Sequence, residues 1–100
     1  MSQDLIKIIK EVTMRDNVDE ALTLVLGRYI LQRISECKAG IKRFEEKYNM
    51  PFEKYEERLG VDISLSHEHE MDYAMWGALL DELEELEKLL GKLKWKSENS

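Results

Sequence analysis

A chain of 100 residues that is 43% hydrophobic and 36% charged, with one proline and five glycines, predicts a single all-α domain with a modest core. Charged residues interrupt every apolar stretch before it reaches the roughly 18 residues that a membrane span needs, and the N-terminus lacks the pattern of a signal peptide. The single cysteine, Cys37, excludes an intramolecular disulfide and fits a reducing compartment. Together these features predict a cytoplasmic protein that does not enter a membrane.

The net charge of −6 is concentrated in the second half of the chain. Residues 1–50 carry nine Lys/Arg and eight Asp/Glu, whereas residues 51–100 carry six and thirteen. Between Glu68 and Glu87 there are eight acids and no Lys or Arg. Because such a segment repels phosphate, it predicts a poor nucleic-acid surface and suits a basic protein partner.

The first predicted element is a short amphipathic helix over residues 4–14. Its apolar side chains recur at helical spacing and are Leu5, Ile8, Ile9 and Val12. A β-strand is the less favoured alternative, and it matters because ribbon–helix–helix DNA-binding proteins begin with a short strand before two helices. A DNA-binding regulator that represses its own operon through this N-terminal segment is therefore the alternative function.

The second predicted element is a long helix over residues 18–48. Asn17 and Glu20 have the spacing of a capping box at its start, and Asn49 can adopt the left-handed turn that ends it. Gly27 and Gly40 indicate places where another helix approaches closely. An apolar stripe with alternating steps of three and four residues predicts packing against a helix at a shallow angle. This stripe consists of Ile30, Ile34, Cys37, Ile41 and Phe44.

A short third helix over residues 51–59 and a long fourth helix over residues 66–95 complete the predicted fold. Pro51 suits the first position of the third helix, and Ser64 or Ser66 can cap the fourth. Acids in the first turns of the fourth helix and lysines in its last turns complement the helix dipole. Its apolar stripe, named here the leucine ridge, consists of Trp76, Leu79, Leu83, Leu86, Leu90 and Leu93.

The two long helices should fold back on each other as an antiparallel hairpin, with the basic residues of 28–47 facing the acidic run of the fourth helix. We expect a second molecule to seal the leucine ridge, giving a homodimeric four-helix bundle. Side chains beside the ridge broaden this surface, namely Met75, Leu80, Leu89 and Trp95. The alternative is that the first and third helices cover the surface within one chain.

No catalytic constellation and no phosphate-binding glycine loop is found, so we expect neither an enzyme nor a metal or cofactor site. His67 and His69 are two residues apart, which on a helix directs them to nearly opposite sides and favours a polar first turn over a metal site. Cys37 lies on the apolar stripe and is interpreted as a small buried hydrophobe. For Tyr73 and Trp76 a core or self-dimer contact is favoured over a pocket for a partner.

Two segments resemble a known group of proteins. Arg43–Tyr55 reads RFEEKYNMPFEKY and resembles the RFEEKYGMSFEEF stretch of small archaeal and bacterial helical proteins encoded beside toxin-like partners. Asp72–Leu83 reads DYAMWGALLDEL and resembles the DYFEWEGLVDEL stretch that follows in those proteins. Asn49 and Pro51 depart from the usual glycine and serine. The resemblance implies an antitoxin-like helical protein that binds and neutralises a partner.

The expected function is therefore that of a non-enzymatic, antitoxin-like protein-binding module, whose acidic C-terminal helix binds a basic partner protein. The residues expected to contact this partner are Glu68, Glu70, Asp72, Tyr73, Asp81, Glu82, Glu85 and Glu87. A purely structural homo-oligomer is the remaining alternative.

Overall fold

The computed structural model describes residues 2–99 and confirms the predicted all-α fold. Its helices are α1 (Gln3–Thr13), α2 (Val18–Tyr48), α3 (Phe52–Arg58) and α4 (His67–Glu98). The N-terminal segment is helical, so the strand alternative finds no support in the described residues. Pro51 precedes α3 as its N-cap instead of opening the helix, and α4 continues three residues beyond the expected end. No helix of residues 2–99 combines the length and the apolar character that crossing a membrane requires.

Local side-chain chemistry explains where the long helices begin and end. The Asn17 side chain accepts a hydrogen bond from the backbone N–H of Glu20 at the start of α2, over 3.2 Å. Ser66 does the same for His69 at the start of α4, over 3.1 Å. Asn49 takes the left-handed conformation, with φ of 54°, and ends α2. These caps position the two long helices for the turn that joins them through α3.

Helices α2 and α4 form an antiparallel hairpin that two groups of ion pairs bridge. Near its middle, Arg33 holds Glu82 through two hydrogen bonds, Nη2 to Oε1 at 2.5 Å and Nε to Oε2 at 2.7 Å. Near the α3 end, the Lys47 ammonium lies 2.8 Å from Glu68 and 2.6 Å from Asp72. Because these pairs are partly exposed, they define the register of the hairpin more than they stabilise it.

The leucine ridge packs against the apolar stripe of the chain's own α2. Buried Leu86 lies in one cluster with Ile30, Ile34 and Cys37. The remaining leucines of the ridge pack against this cluster and are partly buried, namely Leu79, Leu83, Leu90 and Leu93. Two stripes of equal periodicity and similar length thus meet within the chain, as the predicted hairpin requires. That a second molecule also contacts the ridge stays a prediction.

Aromatic side chains close the hairpin at its α3 end. Trp76 is fully buried, and its indole Nε1 has no hydrogen-bond partner in the described part of the chain. Four rings have their centroids 5.3–6.1 Å from the Trp76 ring, those of Phe44, Tyr48, Phe52 and Tyr55. The Tyr55 hydroxyl donates a hydrogen bond to the backbone carbonyl of His69 over 2.7 Å. This cluster fixes α3 against α4.

Helix α1 covers less of the hairpin than its sequence suggests. It packs against α2, near whose start Ala21 is fully buried. Its side chains Leu5, Ile8 and Val12, three of the four expected to form its apolar face, are more than half exposed. The molecule is elongated, 58 × 27 × 20 Å, with a radius of gyration of 19.2 Å where a compact chain of this length has about 13 Å.

Candidate protein-binding surface

The acids predicted to contact a partner fall into two groups according to their position around α4. Glu68, Asp72 and Glu82 face α2 and are bound by Lys47 or Arg33. Their charge is therefore used within the chain to hold the hairpin together. We infer that a partner would find little free negative charge at these positions.

Hydrogen bonding keeps two of these carboxylates ionised. Burial opposes ionisation of Asp72, but hydrogen bonds from Lys47 and Tyr48 outweigh it and hold the pKa of Asp72 below its usual value. The hydrogen bonds from Arg33 likewise lower the pKa of Glu82. Burial and the hydrogen bond to Asp72 raise the pKa of the Tyr48 hydroxyl, so this phenol stays protonated and donates to the carboxylate.

The acids of the second group are exposed. Glu70, Asp81 and Glu85 form no ion pair with any residue of 2–99, and neither does Glu87. Steps of eleven and four residues place the first three along one line on the helix, named here the acidic strip. Glu87 comes two residues after Glu85 and therefore points to another side. The strip is the part of the predicted partner-binding set whose charge is not neutralised by the fold.

A hollow of about 450 Å³ lies beside the acidic strip, between α3 and α4. Its wall is the pair of stacked rings of Phe52 and Tyr73, whose centroids are 5.4 Å apart. Glu56 and Asp81 both contribute to its lining, and the Tyr73 hydroxyl donates to Glu56 over 2.6 Å. The remaining lining residues are Ala74, Gly77, Ala78 and Leu80. We name this feature the acidic hollow.

The acidic hollow combines the two features that recognise a Lys or Arg side chain. Aromatic faces attract a cation, and two carboxylates can form charge-assisted hydrogen bonds with it. Gly77 lies beside the Phe52 ring, where a Cβ would make an ordinary van der Waals contact, 3.5 Å from Cζ. The hollow is therefore suited to a basic side chain that projects from a partner surface.

Sequence reasoning identified Tyr73 and Asp81 but missed Phe52 and Glu56. The hydrogen bond between Tyr73 and Glu56 joins residues 17 positions apart, and it depends on where α3 docks on α4. No signal in the sequence paired Glu56 with Tyr73.

His69 and Cys37 have structural surroundings. The His69 ring nitrogen Nδ1 lies 2.7 Å from the Ser64 carbonyl, in the loop before α4. Burial raises the pKa of the Cys37 thiol, which lies in the core between α2 and α4. No group of three or more His, Cys, Asp or Glu side chains in residues 2–99 is placed to hold a metal ion.

Comparisons with protein-family models, with curated proteins and with solved structures found no match to this chain. The acidic strip and the acidic hollow therefore stand on their own geometry as the candidate functional surface.

Proposed function

We propose that this chain is a non-enzymatic protein-binding module that engages a basic partner protein through its acidic strip and acidic hollow. The hollow carries the proposal, because it places the carboxylates of Glu56 and Asp81 beside a stacked pair of aromatic rings. A Lys or Arg of the partner inserted there would meet both an anionic and an aromatic surface.

The acidic strip supports the same proposal at longer range. Glu70, Asp81 and Glu85 carry charge that no cation in residues 2–99 neutralises by an ion pair. Exposed charge of this kind steers an oppositely charged partner and makes its association rate sensitive to salt. The hollow would then fix the orientation of the partner after the first encounter.

The resemblance of residues 43–55 and 72–83 to antitoxin-like proteins suggests what this binding achieves. Binding of a basic toxin-like protein would cover the partner's own functional surface and neutralise it. Both segments border the candidate surface, since Phe52 lies in the first and Tyr73 and Asp81 lie in the second. The proposed role is therefore that of an antitoxin-like inhibitor.

Co-expression with the product of the neighbouring gene tests this proposal. A tight complex and relief of growth inhibition are expected, and the double variant Asp81→Lys, Glu85→Lys should weaken the complex by at least tenfold. Glu45→Lys is the matched control, because Glu45 is an exposed acid on α2 that forms no ion pair within residues 2–99. The proposal fails if no complex forms, or if the double variant and the control bind equally well.

The alternative of a DNA-binding regulator has less physical support. The exposed residues of α1 include the apolar Leu5, Ile8 and Val12, and the two lysines of the helix are balanced by Asp4 and Glu11, so α1 carries no net positive charge to neutralise phosphate. A DNA-binding surface relies on Lys and Arg contacts to the backbone, and an apolar helix face suits a protein contact better.

A further inference from the structure

We propose that the acidic hollow takes an arginine of the partner in preference to a lysine, with the guanidinium plane against the aromatic wall and its N–H groups donating to Asp81 and Glu56. This inference rests on the proposed function, because it names the side chain that the basic partner inserts. Net charge does not separate the two cations, so the preference must come from shape and from the arrangement of hydrogen-bond donors.

The hollow offers carboxylate oxygens whose charge is not neutralised within the fold. Neither Glu56 nor Asp81 forms an ion pair with a cation of residues 2–99. Oε2 of Glu56 accepts the Tyr73 hydroxyl over 2.6 Å, which leaves Oε1 and both Asp81 oxygens without a hydrogen-bond partner in the described chain. This hydrogen bond raises the pKa of Tyr73, so the phenol remains the donor and the carboxylate the acceptor. A charged donor would therefore find free acceptors in the hollow.

The two carboxylates reach the hollow from different helices, which favours an extended donor over a compact one. Glu56 belongs to α3 and Asp81 belongs to α4. A guanidinium carries five N–H donors in a rigid planar fork, so it can donate to both carboxylates along two of its edges. An ammonium carries its three donors on a single atom and is more strongly hydrated, so it must give up more water to make the same contacts.

The aromatic wall adds a contact that suits a planar cation. Phe52 stacks on one face of the Tyr73 ring, with 5.4 Å between the centroids and 11° between the planes. No second aromatic ring within residues 2–99 stacks on Tyr73. A planar, weakly hydrated guanidinium can lie flat on such a ring, whereas an ammonium approaches it as a point charge. The wall therefore favours arginine.

The wall is held in place by the fold itself. The rings of Phe52 and Trp76 meet edge to face, with centroids 5.3 Å apart, and Trp76 is fully buried. On the other side of the wall, the hydrogen bond between Tyr73 and Glu56 fixes a ring and a carboxylate relative to each other. A preformed surface of this kind lowers the ordering cost of binding.

Short side chains of α4 leave space beside Asp81 for a flat group. Ala74, Gly77 and Ala78 line this part of the hollow, and none of them extends beyond Cβ. The volume of about 450 Å³ admits the guanidinium together with methylene groups of the arginine stem. Such a stem packs on apolar surface while its charged end stays with the carboxylates.

A nuclear magnetic resonance titration of the isotope-labelled full chain tests this preference without the partner protein. The probes are Nα-acetyl-L-arginine amide and Nα-acetyl-L-lysine amide, which carry the same charge at neutral pH. The amide signal of Gly77 reports on the hollow, and that of Gly91, which lies on α4 outside the hollow, is the reference. The arginine derivative should bind at least fivefold more tightly than the lysine derivative.

Two variants separate the effect of charge from the effect of the ring. Asp81→Asn should weaken the binding of both derivatives at least threefold. Glu85→Gln is its matched control, because Glu85 is an exposed acid of the acidic strip that does not line the hollow. Tyr73→Leu removes the ring and should reduce the preference for arginine to less than twofold, with circular dichroism verifying that the variant stays helical.

Equal affinity for the two derivatives, or no shift of the Gly77 signal with either, would overturn the inference. So would an Asp81→Asn variant that binds like Glu85→Gln, or a preference for arginine that survives Tyr73→Leu. The outcome is separable from that of the proposed function. A complex with the neighbouring gene product but no preference for arginine would remove only this inference, whereas a preference for arginine without such a complex would support it and remove the antitoxin-like role.

Discussion

Gly40 of α2 lies so close to Leu79 of α4 that a Cβ on the glycine would fall 2.7 Å from Cδ1 of the leucine. Within residues 2–99 no other glycine is packed as tightly. A Cβ on Gly27 would lie 3.6 Å from Leu93, and a Cβ on Gly91 would meet no described atom within 4 Å. The absence of a side chain at Gly40 therefore lets Leu79 pack directly on the backbone of α2.

Three of the four helical glycines, Gly27, Gly40 and Gly91, predict an ordered series of stabilities. Gly91→Ala should stabilise the chain by up to about 1 kcal/mol, because alanine is the better helix former and its methyl group meets open space. Gly27→Ala should raise the free energy of unfolding by a similar amount. Gly40→Ala should raise it less than either, since Leu79 must move to accommodate the methyl group. Urea unfolding measures the series, and a Gly40→Ala variant as stable as Gly91→Ala would contradict the close approach.

Trp76 contributes to stability through its volume more than through its polar atom. Trp76→Ala should cost about 3–5 kcal/mol, because it empties the space between four aromatic rings. Trp76→Phe should cost about 1 kcal/mol or less, since it removes a buried N–H that has no acceptor in residues 2–99. Thermal unfolding of both variants at equal concentration checks this. A Phe variant as unstable as the Ala variant would indicate that the indole N–H has a role in the fold.

The Tyr48–Asp72 pair predicts how stability changes with pH. The pKa of Asp72 is lower in the folded than in the unfolded chain. Asp72 therefore stabilises the fold above its unfolded pKa of about 3.9, and this stabilisation is lost as the pH falls through the folded pKa. The pKa of Tyr48 is higher in the folded than in the unfolded chain. Tyr48 therefore stabilises the fold below its unfolded pKa of about 10, and this stabilisation is lost as the pH rises through the folded pKa.

Asp72→Asn should therefore flatten the acid limb of a plot of unfolding free energy against pH, and Tyr48→Phe should flatten the alkaline limb. Asp81→Asn is the control for the first variant, because Asp81 is exposed and lacks an ion pair in the described residues. Equal acid limbs in Asp72→Asn and the unmodified chain would show that this carboxylate does not couple folding to protonation.

Local patterns in the sequence predicted the helices and their caps. The Asn17 and Ser66 caps and the left-handed Asn49 depend on a few neighbouring residues, and so they can be read without a fold. The stripes of α2 and α4 predicted which residues face another helix. Periodicity does not say to which molecule that helix belongs, so the contact of a second copy with the leucine ridge stays a prediction.

The candidate surface required the structure. The acids of α4 look equivalent in the sequence. In the fold, the orientation of α4 against α2 lets Glu82 form an ion pair with Arg33, whereas Asp81 remains exposed. The acidic hollow exists because α3 docks beside Tyr73, a contact that no spacing rule predicts.

Titration calorimetry with the purified product of the neighbouring gene tests most directly whether the acidic strip and the acidic hollow bind a basic protein. The unmodified chain should bind this partner, and the double variant Asp81→Lys, Glu85→Lys should weaken the affinity at least tenfold, because both carboxylates are exposed and free of ion pairs within residues 2–99. Glu45→Lys should bind as tightly as the unmodified chain. Equal affinity of the double variant and Glu45→Lys, or no binding by the unmodified chain, would contradict the account.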